Sequence, residues 1–199
     1  MIRKIILASG SKTRAKLLFN AGINFTIDPP QIDEESIIES MESKKEIPST
    51  ITQALADMKA LNRSEIWPDA IVVGADQVLF YKGKIFTKPK TMKEARINLE
   101  QLSDNSHDLI TAASVAINGI IVWRYICSAQ MIMRKLSKEF LNEYLEDLGS
   151  ELHDSVGAYK LEKNGAQLFK EVKGDFFCIL GLPLLSLLNY FRENKILKS

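Results

Sequence analysis

Apolar residues along the chain change period repeatedly, and the changes mark its elements. Ile2 to Leu7 is rich in β-branched residues and uncharged after Lys4, the pattern of a strand buried on both faces. Small polar residues follow at Ala8-Ser9-Gly10-Ser11, and from Lys12 the positions Ala15, Leu17, Leu18 and Ala21 fall at helical spacing, with Gly22 placed to end the helix. Phe25 to Ile27 predicts a short strand stopped by Pro29-Pro30, followed by an acidic loop or helix start at Ile32 to Ser36 and a charged, mobile stretch from Glu39 to Glu46. A helix is expected after Pro48-Ser49, carrying Ile51, Leu55, Met58, Lys59 and Leu61 and ending near Asn62.

Ala70 to Val73 reads as another buried strand, with Gly74-Ala75-Asp76-Gln77 at its end and Val78 to Tyr81 beyond. Lys82-Gly83 is a hairpin turn signal, Thr91-Met92-Lys93-Glu94 a capping box for a helix to about Leu102, and Asn118-Gly119 a hairpin turn between Leu109 to Ile117 and Ile120 to Met133. Ser137 to Leu148 is an amphipathic helix. Tyr159 to Phe169 and Phe177 to Leu180 are expected to be extended, and Gly181-Leu182-Pro183 to introduce a terminal helix. Strands and helices mix irregularly, which favours a mixed α/β sheet over a regular doubly wound one.

Composition narrows the function classes. At 199 residues and 46% hydrophobic content the chain can bury a substantial core as one domain over 1–199, and 26 basic against 25 acidic residues give a net charge of +1. No global field therefore selects nucleic acid or an anionic membrane as partner, and no stretch approaches a membrane span, so a cytoplasmic protein is expected. The only cysteines, Cys127 and Cys178, lack metal-ligand spacing and are read as reduced core thiols.

Any anion chemistry must then be local. Ser9-Gly10-Ser11, between a strand and a helix, offers backbone amides and a helix N-terminus to a phosphate, and Arg14 in the first turn offers a forked donor. Ordinary capping with a solvated arginine fits the same residues. No GxxxxGK[ST] or GxGxxG motif is present. Asp76, after the apolar run Ala70 to Val73, is poised where such sheets open onto ligand crevices and suits magnesium or manganese; it is equally a residue that begins a turn. Glu34 offers a second metal ligand or a surface turn residue. Lys59 and Lys88 offer phosphate neutralisation or plain surface charge, and His107 is read as structural support.

These segments together resemble the Maf family over roughly residues 4 to 190. Leu7-Ala8-Ser9-Gly10-Ser11-Lys12-Thr13-Arg14-Ala15-Lys16-Leu17-Leu18 is similar to the family's N-terminal signature. Matching pieces follow in order: Ile32-Asp33-Glu34, Ala56 to Ala60, Gly74 to Val78, Lys88-Pro89, Leu102-Ser103 with His107, Gly157-Ala158-Tyr159 and Gly181 to Leu184. The resemblance implies a mixed twisted sheet flanked by helices, with two lobes around a central cleft, in the manner of Maf and ITPase proteins. It also implies a nucleoside triphosphate pyrophosphatase that is often dimeric, uses a divalent cation (Mg, Mn or Co) and has a role in nucleotide house-cleaning and division arrest. A non-catalytic nucleotide-binding regulator of septum formation is the rival reading.

Carried over by motif, Asp76 matches the catalytic carboxylate and, with Glu34, the metal site. Ser9, Gly10, Ser11, Arg14, Lys59 and Lys88 match the phosphate-binding positions. Thr13, Gln77 and Glu162 match positions that set base preference. Gln77 and Glu162 resemble the branch acting on 7-methyl-GTP, whose methylated guanine is cationic and would be favoured by a carboxylate. Thr13 replaces the tryptophan typical of that branch, and Lys12 replaces the usual proline.

Overall fold

The computed structural model describes residues 3–198, with the side chains of residues 150 and 152 excepted; Ile2, expected in the first strand, lies outside them. Seven strands, β1 (Ile5–Ala8), β2 (Thr26–Ile27), β3 (Ile71–Tyr81), β4 (Lys84–Phe86), β5 (Ser106–Ile117), β6 (Ile120–Met133) and β7 (Phe169–Lys173), form one mixed sheet. Its order is β2-β1-β3-β5-β6-β7, with β4 paired to β3. The helices are α1 (Lys12–Asn20), α2 (Glu34–Ser43), α3 (Pro48–Ile66), α4 (Met92–Leu102), α5 (Lys138–Leu148), α6 (Phe176–Ile179) and α7 (Leu184–Glu193). The mixed α/β class expected from the sequence is the one observed. No helix among the described residues is long and apolar enough to cross a membrane.

The chain divides into two compact units: Met1–Gln77, Thr111–Cys127 and Gly181–Ser199 in the first, Val78–Ile110 and Ser128–Leu180 in the second. In the first unit β1 lies between parallel partners β2 and β3, and its four residues are all buried, as an uncharged β-branched run demands. α3 opens with Pro48, where a missing N–H costs nothing, and lays Ile51, Leu55, Ala56 and Ala60 into the core. Its fit against β3 depends on Gly74. A Cβ at that position would lie 2.4 Å from the Ala56 carbonyl oxygen and 2.6 Å from the Ala60 nitrogen.

The second unit packs α4 and α5 around Leu79, Leu99, Leu102, Leu109, Met131 and Met133. Inside this core His107, 2% exposed, places Nε2 2.6 Å from the Tyr159 hydroxyl, while its Nδ1 has no hydrogen-bond partner among the described residues. Burial pushes the His107 pKa down to about 4 and raises that of Tyr159 well above its ordinary value, so the pair is neutral at pH 7.

Several expectations are corrected. The stretch from Glu39 was expected to be mobile but continues α2 to Ser43, because Asp33 caps the helix and Ile38 anchors it. α3 runs to Ile66 rather than Asn62. The segment from Tyr159 is not extended: it turns, then forms a 3-10 helix at Asn164–Leu168 before β7. Phe176–Ile179 is a short helix because Asp175 accepts from the Cys178 amide at 2.9 Å. In the capping box Thr91 does accept from Glu94 N, but the Glu94 carboxylate turns to Lys90 N at 2.7 Å. Neither Cys127 nor Cys178 is a free thiol, and Cys127 is half-buried on β6 rather than in the core; separation along the chain held no information about either.

Two outcomes follow from this packing. Gly74→Ala is expected to destabilise the protein by about 1–3 kcal/mol through overpacking of α3 on β3, measured by urea unfolding. For His107, the unfolded chain takes up a proton near pH 6.5 and the folded one only near 4, so the unfolded state binds more protons between them. Stability should therefore fall by roughly 3 kcal/mol as pH drops through that window and be insensitive to this group above it. Unfolding midpoints from pH 7 to pH 4 should show a shallower decline in His107→Gln; an equal slope would refute the assignment.

Candidate active site

The loop after β1 is built from side chains that return to its own backbone. Ser11 caps α1, its Oγ accepting from Arg14 N at 3.4 Å, and the buried Ser9 Oγ accepts from Ser11 N at 3.2 Å and from Arg14 Nη1 at 3.1 Å. Arg14 Nε donates to the Gly181 carbonyl at 2.7 Å. Gly181 has φ +88°, a conformation favouring glycine, and a Cβ there would sit 3.4 Å from Arg14 Nε and 3.7 Å from Gln77 Oε1. The guanidinium is thus oriented through Nε and Nη1, while Nη2 makes no hydrogen bond among the described residues. Burial lowers the Arg14 pKa, and the charges of Asp76 and Glu34 oppose that shift; an arginine retains its proton under such conditions. Gly10 is exposed and would tolerate a Cβ, which would meet only Pro29 at 3.7 Å.

Lys59 is the least expected member of the core stripe of α3. It sits at the helical spacing of Leu55, Ala56 and Ala60, so its stem is buried with them and its ammonium emerges against β3. There Nζ lies 2.5 Å from Asp76 Oδ1 and 2.7 Å from Glu34 Oε1. Asp76 and Gly74 share a face of β3, by the strand's period of two, so the close approach that Gly74 permits also sets the lysine's reach.

The carboxylates differ: the Asp76 side chain is 7% exposed and that of Glu34, in the first turn of α2, 47%. Burial raises the Asp76 pKa above the ordinary carboxylate value, with Glu34 adding to the rise and the cations Lys59 and Arg14 opposing it. Asp76 was expected just past a strand end. It is instead the sixth residue of β3, but the parallel neighbour β1 finishes opposite Gly74, leaving Asp76 beyond the paired stretch on that side.

Two carboxylate oxygens drawn to one cationic centre form a donor set that fits a divalent ion completing its shell from water and phosphate. Among the described residues no group of three or more His, Cys, Asp or Glu converges to supply a fuller protein cage.

The first unit thus brings together Ser9, Ser11, Arg14, Glu34, Lys59 and Asp76, and places Gln77 beside Gly181, its Nε2 donating to Thr111 Oγ1 at 2.8 Å. Thr13 is half-buried in the first turn of α1. Lys88 and Glu162 belong to the second unit. Lys88 lines an open groove of about 300 Å³ with Lys84, Thr87, Asn98 and Gln101, and the following Pro89 carbonyl accepts from His153 Nδ1 at 2.9 Å. Glu162 is exposed in the turn before the 3-10 helix. Sequence reasoning did not anticipate that the Gly181 carbonyl orients Arg14, 167 residues away, nor that His153 holds the Lys88-Pro89 segment. The only sequence signal for the former was the glycine itself.

The family model described as "Maf-like protein" matches residues 4–194. A nucleoside triphosphate pyrophosphatase from Paramagnetospirillum magneticum is 43% identical over 189 residues, covering 95% of this chain and 97% of that protein. A 7-methyl-GTP pyrophosphatase from Brucella suis is 41% identical over 195 residues, covering 98% of each, and one from Rhizobium johnstonii is 38% identical over 193 residues, covering 97% of each. With its loop, its buried lysine and its paired carboxylates set in that matched span, the chain belongs to the Maf-like protein family.

Proposed function

We propose that this chain hydrolyses nucleoside triphosphates to the monophosphate and pyrophosphate. The observation that carries the reading is the buried Asp76, paired with Lys59 and electrostatically coupled to Arg14, whose Nη2 has donors to spare beside the helix N-terminus of α1. Relatives that bear pyrophosphatase names and align over nearly the whole chain support it.

In this reading the triphosphate lies against the Ser9 to Ser11 loop, and Arg14, Lys59 and Lys88 offset its charge. Water attacks the α-phosphorus, the bond from that phosphorus to the bridging oxygen breaks, and pyrophosphate leaves with the electron pair. The water's proton passes to Asp76, whose burial raises its basicity above that of an ordinary carboxylate. A divalent cation held by Glu34 and Asp76 would, when bound, supply further charge neutralisation. By their match to the family's motif positions, Thr13, Gln77 and Glu162 are the residues that set base preference. The exposed carboxylate of Glu162 favours a cationic base such as 7-methylguanine, and the relatives named for 7-methyl-GTP support that choice. A second copy of the chain is the expected partner.

Purified protein assayed with magnesium, manganese or cobalt over a nucleotide panel should release pyrophosphate, with 7-methyl-GTP among the best substrates. Orthophosphate as product, or no turnover of any nucleotide, would defeat the reading. Asp76→Asn should lower kcat by about 100-fold or more, since it removes the proton acceptor while retaining the side chain's shape. Arg14→Lys keeps the charge but loses the fork held by Ser9 and Gly181, and should raise KM about tenfold in steady-state assays.

A further inference from the structure

Glu162 is flanked in sequence by Lys160 and Lys163, either of which would be expected to neutralise it. The structure engages both elsewhere. Lys160 Nζ lies 3.0 Å from Glu151 Oε2 and 2.6 Å from Asp154 Oδ2, and Lys163 Nζ lies 2.6 Å from Glu151 Oε1. One carboxylate therefore holds a lysine on each of its oxygens. Among the described residues Glu162 itself has no ion-pair or hydrogen-bond partner.

The backbone between the lysines is also fixed. Lys163 N donates to the Lys160 carbonyl at 3.1 Å, and Gly165 packs so closely that a Cβ would lie 2.4 Å from that same oxygen. Hydrogen bonds from Lys163 and Lys160 hold the Glu151 carboxyl below its usual pKa, so the clamp is charged at neutral pH. Two lysines bound to Glu151 and Asp154 leave the turn with one uncompensated charge, that of Glu162.

We propose that Glu151 is a positioning residue for base selection, sequestering Lys160 and Lys163 so that the negative charge of Glu162 remains available to a nucleotide whose base is positively charged. The proposal rests on the reading of Glu162 as a base-selecting residue given above. Glu151 acts through the lysines and touches no substrate. Its loss would free Lys163 in particular, since Asp154 still holds Lys160, and the released ammonium would compete with the cationic base for the adjacent carboxylate.

The test compares kcat/KM for 7-methyl-GTP and GTP in the unaltered protein, Glu162→Gln, Glu151→Gln and Glu151→Gln/Lys163→Gln. Preference for the methylated nucleotide should fall roughly fivefold in Glu151→Gln, through KM with kcat held, and should return in the double variant, which lacks the competing ammonium. Retained preference in Glu151→Gln while Glu162→Gln loses it, or no recovery in the double variant, would overturn the role of Glu151 and leave Glu162 as a base reader. Unchanged preference in Glu162→Gln would overturn the underlying reading and this proposal together. A fall in kcat on both nucleotides in Glu151→Gln would mark a general structural defect and likewise reject it.

Discussion

The contact around which the first unit's charged groups are arranged is the buried ion pair of Lys59 and Asp76. Removing both charges from water carries a desolvation cost that attraction alone repays only in good geometry, so such a pair is weak evidence for stability. Here it serves arrangement. The ammonium gathers the buried Asp76 and the exposed Glu34 around one point, while Arg14 is independently tied to Ser9 and Gly181. Positive and negative groups are thus fixed by contacts within the protein itself, which is what electrostatic preorganisation requires.

The geometry has a division of labour. In the first unit the charged groups Arg14, Lys59 and Asp76 are held by buried contacts and, for Arg14, by a backbone carbonyl. In the second unit Glu162 is exposed and unpaired among the described residues, beside lysines held in ion pairs by the half-buried Glu151. Exposed ion pairs contribute little to stability, but they decide which charges near a surface remain unpaired.

Much of this was legible in the sequence where a local rule applied. The buried strand before Ser9, the capping of α1 and the hairpin turns all follow from period and turn chemistry within a few residues, whereas the apolar stripe of α3 was read through Met58, which is 40% exposed, and Lys59 was not expected to be buried. Asp76 was expected just past a strand end, because Gly74-Ala75-Asp76-Gln77 resembles a turn, whereas β3 continues through it to pair with β4. Contacts between distant segments had no local signature: the Gly181 carbonyl on Arg14, His153 on Pro89, and Glu151 on both lysines. Their partners are ordinary polar residues, and only the fold makes them neighbours.

Gly74 adds a consequence of its own. With no side chain there, α3 rests almost directly on the strand's backbone, and the lysine stem needs no slack to span the gap. The missing methyl therefore works as a spacer of zero thickness, a gauge that calibrates how far a charge on one element stands from a charge on another. Sites of this kind can be detuned by adding an atom that never touches a ligand, so the residues answerable for chemistry extend to places where chemistry has no functional group at all.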